Sequence, residues 1–462
     1  MTDHDDGPVV AVVGEEWRRL HPASPIVRGW QPLVAVLALG LQDGFEPQRL
    51  AVTGVLAVVA VVVGAMYYWL SWRVARFRLD GPDLVVESGV LFKRSRRVPL
   101  ARLQAVDIVQ PLLARALGLA ELRLEVAGGK SSDAPLAYLD LESARAVRND
   151  LLVLAAGLRD DVSVDPAPPE AMEVVLATTP SSTLLAAVVL EGPAVMLLVV
   201  FTIALAIGVV TGEFAIALGA VGPILFGLGG PVWASFTRNY GTTLADSPDG
   251  LRIRRGLIET RSQTVPPGRV QGVVVREPLV WRLFGWVRVA ATVAGYAGGD
   301  QAERSTTLLP VASAATAQGV VDRVLPGVDW RSVPLSPAPV RARWRAPVEG
   351  GRLGAGIGDD GAERVFVTRR GRFGQRTDVV PLARLQSVRL RQGPLQRWLG
   401  LASVFADVSP GPVRAVGLHR DAFDARALVD RLVTDARAAR AAAAPDRWLH
   451  RPPAGEEYGP PA

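Results

Sequence analysis

One heptapeptide, Val-Pro-Leu-Ala-Arg-Leu-Gln, occurs at 98–104 and again at 380–386, and a looser version, Val-Pro-Pro-Gly-Arg-Val-Gln, at 265–271. Each copy carries one arginine and one glutamine at fixed spacing: Arg102 and Gln104, Arg269 and Gln271, Arg384 and Gln386. A guanidinium is a planar fork that matches phosphate or carboxylate oxygens in pairs. A buried glutamine must have its amide satisfied, here by backbone across a turn. This chemistry is recognition rather than bond breaking. The six residues are therefore candidates for ligand or interface contacts. Two readings of the arginines stay open: a lipid headgroup, or a carboxylate of the same domain.

Bond-breaking chemistry finds little to use. The chain has no cysteine, which removes disulfides, thiolate metal sites and cysteine nucleophiles together. Its histidines, His4, His21, His419 and His450, are far apart in sequence, so no histidine metal motif is visible. No Gly-rich phosphate loop is followed by Lys and Ser/Thr. The stretch 352–361, RLGAGIGDDG, has glycines at alternate positions but lacks the strand and helix that a nucleotide fingerprint requires. Asp359 and Asp360 lie in that polar stretch. No catalytic residue, metal or cofactor is expected, and the chain reads as a non-enzyme.

Hydropathy then places the chain. Its 462 residues are 49% hydrophobic with a net charge of +6, and the mean hydropathy is positive. Residues 50–70 form an uncharged run of 21, long enough to cross a hydrocarbon core of about 30 Å. Aromatics at 67–69 and then Arg73, Arg76 and Arg78 mark its cytoplasmic end. Residues 30–41 are a shorter partner span. Residues 192–212 and 214–236 form a second apolar pair broken only at Glu213. Glu191 sits where that pair begins, at headgroup level or, on a transporter reading, within the span. The connectors are poor in bases and the flanks rich in arginine, so both termini and all soluble mass are placed in the cytoplasm. The N-terminus lacks the features of a signal peptide.

Bases next to a span attract anionic lipid, about 1 kcal/mol each. Arg73, Arg76, Arg78, Lys93, Arg94, Arg96 and Arg97 are the anionic-lipid candidates. Similar clusters recur at Arg252, Arg254, Arg255 and Arg261, and at Arg369, Arg370, Arg372 and Arg376. They follow the membrane ends and lack aromatic stacking platforms, which argues against nucleic acid.

The heptapeptide belongs to a longer repeat. Counted from Gln104, Gln271 and Gln386, a glycine lies 15 residues before (Gly89, Gly256, Gly371) and a proline five before (Pro99, Pro266, Pro381). A valine lies two after, an arginine 11 after (Arg115, Arg282, Arg397) and a glycine 14 after (Gly118, Gly285, Gly400). Each copy reads as a strand hairpin, an alternating strand, a short helical turn, two further strands and a closing amphipathic helix. In the first copy Ala144, Val147, Leu151 and Leu154 mark one face of that helix.

This order and the wording of the third copy resemble the bacterial PH-like domain family and its multi-copy membrane members (YdbT-like). The resemblance covers 73–157, 238–327 and 362–443, plus 19–25. It implies a fold class of membrane α-helical hairpins plus α+β, mainly β, PH-like domains: three repeats, each an antiparallel strand barrel capped by a C-terminal helix. The expected boundaries are 1–28 cytoplasmic segment, 29–72 hairpin, 73–157 first PH-like domain, 158–183 linker and 184–237 hairpin. They continue with 238–327 second domain, 328–361 linker, 362–443 third domain and 444–462 disordered tail. The implied function is a membrane scaffold or binding module for anionic lipid, a protein partner or its own copies, with a role in cell-envelope maintenance. The alternative is a transporter or export accessory.

Overall fold

Phe77 and Leu79 alternate with Arg76, Arg78 and Asp80, the period of two that gives a strand one buried face. That face begins the core of the first of two compact units, Met1–Glu170 with Ile258–Gln263, and Ala171–Leu257 with Thr264–Ala462. The computed structural model describes residues 16–24, 47–81, 83–89, 92–100, 103–126, 134–155, 174–212, 227, 229–247, 250–265, 268–294, 307–359 and 363–442. The expected span at 30–41 and the tail at 444–462 lie outside them.

In the first unit, β1 (Arg18–Arg19) and the long helix α1 (Pro47–Val74) precede β2 (Arg76–Asp80), β3 (Asp83–Ser88) and β4 (Arg94–Pro99). These strands form an antiparallel sheet in the order β1-β2-β3-β4. Then come β5 (Leu103–Pro111), α2 (Leu112–Ala116), β6 (Leu119–Val126), β7 (Ala134–Asp140) and α3 (Leu141–Ala155). β5, β6 and β7 are antiparallel neighbours. One core joins both groups of strands to the helix: Leu84 and Val98, Ile108 and Leu122, Val147 and Leu151. The expected face of α3 is the buried one.

α1 contains the candidate membrane span, Gly54–Val74, the one helix among the described residues long and apolar enough to cross. Val55, Val62 and Met66 are largely exposed on it. Only Ala75 separates α1 from β2.

The second unit starts with β8 (Val174–Thr178), α4 (Ser181–Val189) and α5 (Gly192–Thr211). Helical residues 229–239 follow, then β9 (Thr243–Ser247), β10 (Gly250–Arg255), β11 (Glu259–Val265, whose first residues belong to the first unit), β12 (Val270–Pro278), β13 (Trp286–Val293), β14 (Thr307–Ser313) and α6 (Ala314–Val324). The third repeat supplies β15 (Ser336–Pro337), β16 (Gly354–Gly358), β17 (Val365–Arg370), β18 (Gly374–Pro381), β19 (Ser387–Arg391), α7 (Pro394–Trp398), β20 (Leu401–Asp407), β21 (Ala415–Asp421) and α8 (Ala422–Ala442). A seven-stranded sheet runs β14-β13-β12-β18-β17-β16-β15, and a three-stranded sheet runs β19-β20-β21.

Two segments depart from expectation. Residues 184–189, assigned to a membrane hairpin, lie in α4, whose Leu184, Ala187 and Val188 pack in one hydrophobic cluster with Trp281 and Val311. Hydropathy alone cannot separate a buried helix from a spanning one. The segment 328–361, read as a linker, provides β15 and β16 and buries Trp330 and Val333. Its glycines permit close packing: a Cβ on Gly356 would meet the Pro334 carbonyl oxygen at 2.2 Å.

The repeated glycines do the same work in each copy. Gly118, Gly285 and Gly400 have φ of 68°, 64° and 61°. Each closes a short helical turn by donating its N–H to the carbonyl of the arginine three residues earlier, at 3.1–3.3 Å. Any residue supplies that carbonyl, so it does not account for the arginine side chains; Arg115 donates through Nη1 to Thr260 Oγ1 at 2.9 Å.

In the third repeat His419 has φ of 50°. Its Nδ1 accepts from Gln396 Nε2 at 2.8 Å, while Gln396 also donates to Ser403 Oγ at 2.9 Å and accepts from Gly393 N at 3.0 Å. Burial holds the imidazole pKa below its ordinary value; Arg345 adds to this and Glu349 opposes it. The folded state thus binds the proton less readily than the unfolded chain. Stability contributed here is present at neutral pH and is lost as pH falls through the ordinary imidazole range. Denaturant unfolding from pH 8 to pH 5 is expected to show this loss, and His419→Asn, which tolerates the positive φ, should flatten it. Separately, Gly272→Val is expected to destabilise the chain by about 1–3 kcal/mol through overpacking. Its Cβ would lie 2.9 Å from the Val379 carbonyl oxygen and 3.1 Å from Val380. Thermal unfolding checks it.

Candidate functional site

The repeat places the same strand pairing at two points of the chain. β11 runs antiparallel to β5, with Glu259 opposite Pro111, Arg261 opposite Val109 and Ser262 opposite Ile108. β18 runs antiparallel to β12, with Val275 opposite Thr377, Arg276 opposite Arg376 and Pro278 opposite Gly374. Counted from the motif glutamines, the register is identical. The residue four after one glutamine faces the residue nine before the next: Ile108 and Ser262, then Val275 and Thr377. In the second case the cores merge as well. Val274 and Ala290 of the second repeat lie in one cluster with Phe366, Val380 and Val404 of the third.

Each pairing carries a buried carboxylate and an arginine. Asp107 in β5 is fully buried, and Arg261 reaches its Oδ2 with Nη2 at 2.6 Å and Nε at 3.1 Å. Asp378 in β18 is also fully buried. Arg376 holds it through Nη2 at 2.7 Å and Nε at 2.8 Å, and Arg414 N donates to it at 2.9 Å. Arg370 lies 3.8 Å away, its pKa pulled down by burial. Sequence reasoning grouped Arg261 and Arg376 with solvent-facing bases for anionic lipid; the structure corrects this, because burial beside a carboxylate needs a paired charge. The missed signal was spacing. Arg94, Arg261 and Arg376 each lie ten residues before a motif glutamine.

In the third copy the heptapeptide turns the chain between β18 and β19. Arg102 lies outside the described residues, and Gln104 falls within β5. Arg269 is half-buried, and its carbonyl accepts from Ala294 N at 2.8 Å and from Gln271 Nε2 at 3.3 Å. Gln271 is buried and so satisfied by its own motif. Arg384 sits on a short 3-10 turn, Leu382–Arg384. Gln386 is exposed and donates to Ser409 Oγ at 3.1 Å. Of the six candidates, the described side chains show Gln271 and Gln386 bound within their own repeats.

The anionic-lipid candidates are spread over both faces of the β1-β2-β3-β4 sheet, with Arg76, Arg78 and Arg97 on one face and Arg94 and Arg96 on the other, and several are engaged by the unit's own groups. Arg73 stacks over Trp69 at 4.5 Å. Arg76 pairs with Glu87 at 2.8 Å, and Arg76 and Arg78 lie over the Trp17 ring at 4.2 and 4.8 Å. Lys93 reaches Glu87 at 3.4 Å, and Arg78 and Arg97 reach Asp80 at 3.6 and 3.5 Å. Arg76, then Lys93, hold the Glu87 carboxyl below the usual range. Arg94, Arg96 and Arg97 are exposed along β4, which is the terminal strand of its sheet among the described residues.

Glu191 occupies the position just before the first residue of α5, without a side-chain capping bond to the helix. Arg288 grips both of its oxygens, at 2.7 and 3.1 Å, and stacks over Trp281 at 5.1 Å. Among the described residues no cluster of three or more His, Asp or Glu side chains is placed to hold a metal ion.

Antiparallel sheets with closing helices, in a chain that also carries an apolar helix, fit a membrane-associated protein of repeated PH-like domains. The family model described as Bacterial PH domain matches residues 33–154, 183–326 and 362–431. The chain belongs to that family. It is 22% identical over 288 residues to the UPF0699 transmembrane protein YdbT of Bacillus subtilis (strain 168), across 54% of this chain and 57% of that protein. The match thus spans little more than half of the relative's length. No solved structure matches significantly.

The pairing of Asp107 with Arg261 is open to a double-mutant cycle. Asp107→Asn and Arg261→Met, alone and together, are expected to show a coupling of about 1–3 kcal/mol in denaturant unfolding of the purified chain. The half-buried Arg76–Glu87 pair should show a smaller, salt-sensitive coupling.

Proposed function

We propose that the protein is a non-enzymatic membrane scaffold. Two helical hairpins anchor it, and three cytoplasmic PH-like domains are presented in fixed order at the inner face of the cell membrane. The observation that carries this reading is the strand pairing repeated in one register, in which the strands just before and just after the motif join consecutive repeats. The passage of α1 into β2 across one residue, with Arg73, Arg76 and Arg78 at the boundary, supports a first domain held close to the headgroups. Lys93, Arg94, Arg96 and Arg97 add positive charge to the same unit. Their attraction to anionic lipid acts over about a Debye length, near 10 Å at 0.1 M salt. The transporter reading is weaker, because its one candidate acid, Glu191, is neutralised by Arg288.

In nanodiscs, amide exchange of residues 94–99 in the full chain is expected to slow when anionic lipid replaces neutral lipid, and the effect should fade with added salt. Exchange indifferent to lipid charge would remove lipid contact from the proposal. The scaffold role is read by quantitative cross-linking in native membranes. Recovery of a stoichiometric protein partner, or of a second copy, supports it; a chain recovered with lipid alone overturns it.

A further inference from the structure

The chain leaves two half-sheets over. β1-β2-β3-β4 ends at β4, and β19-β20-β21 ends at β19, each the terminal strand among the described residues. The second unit's seven-stranded sheet is itself such a sum, with three strands from the second repeat (β14, β13, β12) and four from the third (β18, β17, β16, β15). β4 is the strand before the motif in its repeat, and β19 is the strand after it. These are the two strand types that pair within the chain.

The register common to both pairings predicts what would meet at these edges. Arg391 would face Arg94, Leu390 would face Ser95, and Arg389 would face Arg96. Within the chain, a carboxylate always stands at one of two facing positions. It is three after the glutamine in the first pairing, Asp107, and eight before the glutamine in the second, Asp378, which faces Val274. Each receives the arginine ten before the glutamine. At the terminal edges those two positions are Arg389 and Arg96. Arg389 is exposed, held by Asp407 at 2.7 Å and stacked on Phe405 at 5.5 Å. Copies of this chain would therefore bring arginine against arginine, a juxtaposition that rejects a partner. Charged edges of this kind stop unwanted strand addition.

We infer that the β4 edge is a docking site for the half-sheet of another PH-like chain, one carrying Asp or Glu at the position equivalent to Asp107, and that self-addition is blocked by charge. The incoming strand would add antiparallel to β4 and its carboxylate would meet Arg94 as Asp107 meets Arg261. This deepens the scaffold reading by specifying the partner's chemistry, and it is independent of lipid contact.

The cysteine-free sequence makes the register directly testable. Two forms of the full chain are mixed in detergent, one carrying Ser95→Cys and the other Leu390→Cys. In the second form, the exchange Arg389→Asp with Asp407→Arg preserves the local ion pair and supplies the missing carboxylate. Disulfide cross-linking between chains is expected to rise about tenfold or more over the form without the exchange. Adding Arg94→Ala to the first form should reverse the gain, and moving the second cysteine to Val388 should reduce it. Matching thermal melts establish that all forms are folded. Equal cross-linking with and without the exchange, whether high or absent, overturns the charge rule. Cross-linking that ignores the cysteine position overturns the register. Failure of either leaves the partner recovery in native membranes as a separate reading of the scaffold role.

Discussion

Backbone hydrogen bonding along a strand edge is the constraint on which the rest depends. A sheet edge exposes unpaired N–H and C=O groups, and a protein must cover it, bend it or charge it. This chain covers edges with its own next repeat. β5 takes the first residues of β11, and β12 takes β18. In the second unit the consequence reaches the core, since Val274 and Ala290 complete the apolar cluster of the third repeat. Within the second unit, the strand after the second motif, β12, is thus part of the sheet and core of the third repeat.

The buried ion pairs refine this pairing rather than drive it. Removing Asp107 and Asp378 from water carries a desolvation penalty that can equal or exceed the attraction of the arginines they meet. Their value lies in selection. A shift of register by one residue would turn every side chain to the opposite face and leave a fully buried carboxylate without its guanidinium. Like a polar residue in a coiled-coil seam, such a pair suits a role in fixing alignment among three similar repeats. The apolar junction residues, Val273, Val274 and Val275, supply the burial.

On the membrane side, the same first repeat combines an apolar helix, an aromatic and arginine collar, and a basic strand. Trp17 lies under both Arg76 and Arg78, and Trp69 under Arg73. Guanidinium groups stacked this way keep their charge while their planes are held. Glu87 and Asp80 temper the same surface through Arg76, Lys93, Arg78 and Arg97. Arg73, Arg76, Arg78, Lys93 and Arg97 are therefore held in place by the domain's own acids and aromatics.

Local signals in the sequence were enough for the elements. Strict alternation marked β5 and β6, and the 3.6-residue period of Ala144, Val147 and Leu151 marked α3, because both periods follow from backbone geometry. The turn glycines were equally legible, since positive φ leaves few other residues. The fixed offsets around Gln104, Gln271 and Gln386 counted the repeats and supported their family. Pairing partners were not legible. Nothing local states that β5 should meet β11, 154 residues away for Asp107 and Arg261, because an edge strand's choice of neighbour depends on which edges the folded chain brings together. For the same reason α4 read as membrane and 328–361 as linker: hydropathy and glycine content report composition, and only packing against Trp281 or β17 decides whether a segment is core. The sequence alone determined the repeat, its strands and its charge. Tertiary structure decided which arginines are spent inside, Arg261 and Arg376, and which of that same repeated position, Arg94, faces out.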